Sequence, residues 1–264
     1  MIHKEGQTDW IQSLYSSAVE WWGESWYEGE NLKDRLDIVK KYGKGNEVLE
    51  LAAGTGETAA YLCEHGYSVT AVDLCKANIS LMNKMRIKYK TLSVIEANML
   101  ELQLDRKFPT VCIFEAFGLG SDKEQRILLK KIADEWLADD GVLVMDVYHP
   151  FMPMRSAGSK LELDKLPDVP GSVDMTDYTY FDPVKCRWID VWEPRQNKTS
   201  AKVQSIRCYT PADFLLLTEN TGMRLEKLEF RGKNLEFHTD EVSTENIFDN
   251  DDRWYSYLAV MKKA

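Results

Sequence analysis

The stretch Val48-Leu49-Glu50-Leu51-Ala52-Ala53-Gly54-Thr55-Gly56-Glu57-Thr58 decides how this chain is read. A short apolar run contains an acid, passes through a turn of small residues, and opens into a helix start. Buried strands of parallel sheets have this form, a brief hydrophobic segment with a tight loop at its carboxyl end. Gly54 and Gly56 allow backbone conformations closed to other residues and let the chain approach a ligand with no Cβ in the way. Seventeen residues beyond Gly56, a second run, Ser68-Val69-Thr70-Ala71-Val72, ends at Asp73. Strand pairing puts that acid beside the first loop, where a carboxylate can accept hydrogen bonds from a ribose diol. The two segments together describe a nucleoside-binding crevice.

Two ligand classes use such a crevice. Gly54-x-Gly56-x-x-Ala59 satisfies the dinucleotide fingerprint, which keeps an NAD(P)-dependent oxidoreductase in view. The residues before it point elsewhere, because an acid on the last turn of the strand suits a cationic ligand and would face the phosphates of a dinucleotide. Glu50-x-Ala52-x-Gly54-x-Gly56 resembles the first motif, acid-x-Gly-x-Gly-x-Gly, of class I S-adenosylmethionine (SAM) methyltransferases, with Ala52 in place of the first glycine. Ala97-Asn98-Met99-Leu100 is similar to the family's Gly-Asp-Met segment, where an acid caps the adenine amino group. The Asn98 amide oxygen can accept the same hydrogen. Leu137-Ala138-Asp139-Asp140-Gly141-Val142-Leu143-Val144 resembles the junction before the family's fifth strand. Tyr209-Thr210-Pro211-Ala212-Asp213-Phe214 resembles the opening of the helix before its sixth. From Glu50 to Val144 the likeness thus extends through about 100 residues in the right order.

That resemblance implies an α/β fold: a Rossmann-like, seven-stranded, mostly parallel sheet with helices on both faces and an antiparallel last strand. An inserted antiparallel β subdomain and an N-terminal helical lid would complete it. It implies SAM as cofactor, S-adenosylhomocysteine as product, and in-line transfer of the methyl group to an N or O atom of a small molecule or short peptide. The cofactor residues carried over are Glu50, Ala52, Gly54, Gly56, Asp73, Leu74, Asn98, Met99 and Glu115. Tyr15 and Trp22 join them from the N-terminal helix, where Tyr15-Ser16-Ser17-Ala18 looks like the family's lid segment. A non-catalytic SAM-binding scaffold would keep the same fold.

Taken in order, residues 1–45 are helical and rich in aromatics (Trp10, Tyr15, Trp21, Trp22, Trp26, Tyr27), and read either as a lid or as a helix packed on the sheet. Residues 46–150 alternate strand and helix, with strands at 47–51, 68–73, 91–96, 110–114 and 142–147. A helix should run from an Asp122 N-cap to Leu137, followed by a turn at Asp139-Asp140-Gly141. Residues 151–208 change character: a proline-containing loop with one short helix, then an antiparallel hairpin around Asp182-Pro183 and a third strand over 201–208. They read as an insert that builds the acceptor pocket or a dimer contact. Residues 209–264 return to the core, Thr210 capping a helix with Pro211 at its first position, followed by strands over 224–230 and 254–261.

The carboxyl ends of strands four and five hold the candidates for a general base, His149 first, then Tyr148 and Glu115; His149 reads equally as a loop histidine satisfied by backbone. Phe117, Tyr148, Phe151, Trp188 and Trp192 are expected to line an aromatic acceptor pocket. The 264 residues carry a net charge of −10 and no basic cluster, which disfavours a nucleic-acid partner. Five scattered cysteines support neither a disulfide framework nor a zinc site. Asp249-Asn250-Asp251-Asp252 lacks EF-hand spacing and reads as a solvated turn, so no metal is expected. With no apolar signal region or membrane-length run, the expected setting is the cytoplasm, away from membranes, as a monomer or homodimer.

Overall fold

Successive residues of the central strands go to opposite faces of one sheet. In β1 (Glu47–Leu51), Val48 joins one apolar cluster while Leu49 and Leu51 join the other. The computed structural model, which describes residues 9–22, 30–166, 171–237 and 255–264 and the side chains among them except those of Trp22 and Glu30, shows the same division in β2 (Ser68–Asp73), β3 (Leu92–Glu96), β4 (Phe108–Ile113) and β5 (Leu137–Tyr148). Helices cover both faces. Leu36 and Val39 of α2 (Glu30–Tyr42), Leu62 of α3 (Glu57–Glu64) and Met82 of α4 (Lys76–Lys88) pack with Val48, while Leu128 and Leu129 of α5 (Asp122–Lys131) pack with Leu49 and Leu51. Apolar side chains on both sides of a strand demand this two-layer cover. Trp26, Tyr27, Asp249-Asn250-Asp251-Asp252 and Trp254 lie outside the described residues, as do His3 and His238.

After β5 the chain passes through α6 (Phe151–Ser156) into a second sheet of four antiparallel strands, β6 (Lys160–Leu163), β7 (Met175–Asp182), β8 (Arg187–Pro194) and β9 (Lys202–Arg207), in that spatial order. The hairpin around Asp182-Pro183 is present, its turn held by Asp182 Oδ1 accepting the N–H groups of Val184 and Lys185. β6 is an addition to the expected three strands. It is short, exposed and charged at Lys160 and Glu162, so no buried alternation announced it. The chain then returns through α7 (Pro211–Thr218), where Thr210 and Asp213 exchange capping hydrogen bonds. It ends in β10 (Met223–Phe230), β11 (Lys233–Leu235) and β12 (Ser256–Lys263).

The large sheet has the order β11-β10-β12-β5-β4-β1-β2-β3, with β12 antiparallel to both of its neighbours. It carries eight strands where seven are expected, because the chain after β10 turns back at Arg231-Gly232 and adds β11 at the edge. Two local expectations are corrected. Ser121, not Asp122, caps α5: its Oγ accepts the Glu124 N–H while the Glu124 carboxylate accepts the Ser121 N–H. The expected single helix to Leu137 ends as α-helix at Lys131 and closes in a π turn over Ile132–Trp136. Asp139-Asp140-Gly141 is then a bulge inside β5, where pairing with β4 jumps from Phe108↔Leu137 to Thr110↔Val142.

The N-terminal helix α1 (Asp9–Trp22) has two working stripes. Leu14, Ala18 and Trp21 form a buried cluster with Met175 and Trp192 of the second sheet. Ile11, Tyr15 and Val19, four residues apart, face the carboxyl ends of the parallel strands. Among the described residues no helix is long and apolar enough to cross a membrane.

The two sheets meet at Gly118, in the loop after β4. Its φ is +109°, and a Cβ there would lie 2.3 Å from the Arg207 carbonyl oxygen of β9. Gly158, at φ +88°, has nothing within 4 Å of the same position. Gly158→Ala should therefore cost only the left-handed backbone penalty, about 1 kcal/mol. Gly118→Ala should cost at least about 2 kcal/mol, since backbone must also move. Urea unfolding of the two variants checks this; equal losses would remove the close contact as a constraint.

Candidate functional site

A cavity of about 330 Å³ opens at the carboxyl ends of β1, β2 and β4, within the range of small-molecule sites. Open α/β sheets bind ligands at this edge, where loops rather than side-chain layers form the surface. Ile11, Tyr15 and Val19 of α1 roof it, and Arg187, Ile189 and Ser205 of the second sheet wall one side.

The loop after β1 bends through left-handed backbone at Ala52 (φ 54°), Gly54 (φ 57°) and Gly56 (φ 88°). A Cβ on Gly56 would lie 2.3 Å from Met82 Cγ, so packing as well as dihedral angle requires glycine there. Gly54 meets nothing within 4 Å, and its missing side chain leaves open space toward the cavity. The Gly54 N–H donates to Asp73 Oδ2 at 2.8 Å, while Asp73 Oδ1 accepts from Cys75 N at 2.8 Å and Asn78 Nδ2 at 3.1 Å. Asp73 thus ties the first two loops together before any ligand arrives, and burial raises its pKa against those hydrogen bonds. The carboxylate also lines the cavity, where its oxygens can accept from a ligand hydroxyl. Leu74, Asn98 and Met99 line the same end, with Asn98 Oδ1 accepting the Leu100 N–H at 3.0 Å and keeping a second lone pair.

At the other end lies a dense set of charges. Glu50 is only 2% exposed, and its Oε2 has no hydrogen-bond partner among the described residues. Burial pushes its pKa up to about 8, with Arg35 pulling down and the Asp73 charge pushing up. Period two explains the Arg35 encounter: Glu50 points to the face of Val48, where α2 packs through Leu36 and Val39. Arg35 pairs with Glu115 Oε2 at 3.0 Å, donates to Thr58 Oγ1 at 2.7 Å, and lies over the Phe114 ring. Glu115 itself sits at φ 57°, its N–H held by Asp146 Oδ1 at 2.6 Å. Asp146 is pushed up to about 7 by burial and then by the Glu115 charge. Burial also raises the phenol pKa of Tyr15, whose oxygen accepts from Gln204 Nε2.

Of the site residues expected from sequence, Tyr15, Glu50, Ala52, Gly54, Asp73, Leu74, Asn98, Met99 and Glu115 line the cavity together; Gly56 shapes its loop from just behind. The Trp22 side chain lies outside the described set. Tyr148 and His149 do not line the cavity. β12 pairs with the end of β5, so His149 N–H donates to the Tyr255 carbonyl, its ring meets Tyr257, and its Nδ1 accepts the Phe151 N–H at 3.2 Å. Burial lowers the His149 pKa to about 4. Tyr148 stacks edge-on against Trp188. The expected aromatic lining is also corrected, because Phe117 is fully buried against Tyr209 and Phe214, and Trp192 belongs to the α1 cluster. Arg35, Asp146, Gln125 and Arg187 were not anticipated. Each is a single polar residue in an ordinary helix or strand, and only the helix-face position of Arg35 beside Leu36 and Val39 could have flagged one.

Both raised acids bind their proton more tightly folded than unfolded. Their stabilisation is complete below the ordinary carboxylate range and fades as pH rises through about 7 to 8. Arg35→Met removes the cation they face, so its cost should grow with pH. We expect a small loss at pH 5.5 and about 2 kcal/mol at pH 8.5, moderated because the Glu115 side chain is 34% exposed. Denaturant unfolding at the two pH values checks this; a pH-independent loss would uncouple Arg35 from the acids.

Residues 48–141 match the family described as a methyltransferase domain. The cypemycin N-terminal methyltransferase of Streptomyces is 28% identical over 115 residues, which is 43% of this chain and 46% of that protein. The chain spans about half the length of the curated relatives it matches. The solved CcbJ methyltransferase of Streptomyces caelestis superposes with a TM-score of 0.71 at 16% identity, covering 96% of each chain. The glycopeptide N-methyltransferase MtfA, solved with SAM, gives 0.58 at 14% identity over 90% of each. Residues 48–141 thus match a methyltransferase domain, and the chain has the fold of class I SAM-dependent methyltransferases.

Proposed function

We propose that this protein binds SAM in the cavity and transfers its methyl group to a nitrogen of a small molecule or short peptide. The observation that carries the reading is the buried, unpartnered Glu50 Oε2 beside the open Gly54 loop. A carboxyl at the strand end that can give up its proton beside a cation suits the positive charge of the cofactor, and the acceptor oxygens of Asp73 and Asn98 suit its ribose and adenine. Arg35 is the guanidinium at the acidic end and suits a carboxylate. When bound, SAM supplies an activated methyl group whose leaving group is the neutral thioether. The protein's part is to hold the acceptor in line and exclude water, and positioning of this kind can supply most of the acceleration. In this reading residues 1–45 form the cover, residues 46–150 hold the cofactor, 209–264 complete the core, and 151–208 face the acceptor.

The nitrogen acceptor rests on two points. An amine attacks once neutral and needs no strong base, whereas a hydroxyl does; no histidine lines the cavity among the described residues. The matched cypemycin and glycopeptide enzymes are N-methyltransferases by name. His149→Ala should accordingly leave kcat within about twofold across pH 6–9, where loss of a general base would cost about 100-fold.

The cofactor assignment has its own test. Near pH 7 Glu50 carries its proton, since its pKa lies at about 8. A cation bound beside it lowers that pKa, so SAM binding should release between about half and one proton. Calorimetry in two buffers of different ionisation enthalpy measures the release, and Glu50→Gln should abolish it while weakening binding about tenfold or more. Absence of SAM binding to the unmodified protein would end this reading.

A further inference from the structure

We propose that Arg187 is a positioning residue for this site: its guanidinium holds the loop that floors the cavity in its binding shape, and so makes the second sheet part of the cofactor site. The inference rests on the SAM reading above. Arg187 opens β8 and donates Nε to Ser205 Oγ at 2.7 Å and Nη2 to the Ser205 carbonyl at 2.7 Å. The rest of the fork goes to three successive carbonyls of the loop after β4. Nη2 reaches Gly118 and Leu119 at 3.3 Å each, and Nη1 reaches Gly120 at 3.1 Å. Three neighbouring carbonyl dipoles converging on one point repel one another unless a cation with several donors sits there. A planar guanidinium meets that need and a single ammonium does not.

Asp146 holds the start of the loop at the Glu115 N–H, and Phe117 is buried against Tyr209 and Phe214. The Gly118–Gly120 stretch has fewer ties: Leu119 N–H reaches the Ala116 carbonyl at a long 3.4 Å, and the Gly118 carbonyl also accepts the Arg207 N–H at 2.8 Å. Its first residue is the left-handed Glu115 that pairs with Arg35. Its last leads into Ser121, Glu124 and Gln125, all on the cavity wall; Gln125 is 2% exposed, with Oε1 unpartnered. A loop displaced at Gly118–Gly120 would therefore carry both the acidic end and the α5 end of the cavity with it. Arg187 and Ser205 line the cavity too, so the anchor lies against the surface it sets.

The test compares Arg187→Met, which removes every donor, with Arg187→Lys, which restores a charge with one donor group. Arg126→Met is the control, since Arg126 binds the Leu217 and Glu219 carbonyls at the end of α7, away from the cavity. Hydrogen exchange of residues 115–121 and calorimetric SAM affinity are read for each. Arg187→Met should speed exchange in 115–121 at least tenfold with β1 and β2 unchanged, and should weaken SAM at least tenfold. Arg187→Lys should fall between it and the unmodified protein in both readouts. Arg126→Met should lower thermal stability and change neither. Unchanged exchange in 115–121 for Arg187→Met, or faster exchange with full SAM affinity, would overturn the proposal. If Arg187→Met does not fold, wild-type behaviour of Arg187→Lys in both readouts would overturn it. Failure of the unmodified protein to bind SAM would instead strike the methyl-transfer reading, while the exchange comparison would still decide whether Arg187 holds the loop.

Discussion

Two backbone turns that ordinary side chains avoid make this cavity, and each is held by a carboxylate from the neighbouring strand. The loop after β1 is pinned where Gly54 N–H donates to Asp73 of β2; the loop after β4 is pinned where Glu115 N–H donates to Asp146 of β5. Left-handed backbone at Ala52 and Glu115 costs about 1–3 kcal/mol per residue, so such turns persist only where surrounding bonds fix them. Charge-assisted hydrogen bonds to N–H groups are strong enough for that task. The strand order follows as a requirement, since each pinned loop needs an acid-bearing strand directly beside it, and β1-β2 and β4-β5 are adjacent pairs.

The same device creates an electrostatic debt at the site. Glu50, Asp73, Glu115 and Asp146 crowd one end of the sheet, with Arg35 the cation paired among them. Burial of unpaired carboxylates is costly enough that the fold answers by keeping protons on, which is why Glu50 and Asp146 move toward neutrality. A positively charged ligand relieves the same crowding without a proton. Stability of the free protein and affinity for a cation are thus set by one group of residues and oppose each other.

Sequence periodicity made the parallel core legible because its strands are apolar on both faces and its first turn is marked by Gly54 and Gly56. The capped start of α7 at Thr210-Pro211 was legible for the same local reason. What escaped was set by neighbours remote in the chain. His149 follows an apolar run and so has the local signature of a strand-end catalytic residue. Yet β12 inserts beside β5 and carries that end into contact with Tyr255 and Tyr257. Asp146, three residues earlier and inside the apolar run, reaches the working loop instead. Arg35 and Arg187 owe their positions to how α2 packs on the first sheet and β8 lies against the β4 loop; the Leu36 and Val39 face of α2 marks the first packing in sequence, and nothing in β8 marks the second.

Orphaned polar groups give the arrangement its direction. Glu50 Oε2, Thr55 Oγ1 and Gln125 Oε1 are buried acceptors without partners among the described residues, and all three belong to the cavity lining. Buried polar groups are nearly always satisfied in folded proteins, so three in one cavity lining mark a place where partners are to be supplied from outside. They come from β1, from the loop that follows it, and from α5, whose position depends on the loop that Arg187 holds. A ligand that satisfied all of them would bridge the β1 side of the cavity to α5. Its binding energy would then favour the arrangement of loops and helix that forms the cavity, and the cavity's shape and its occupant would stabilise each other.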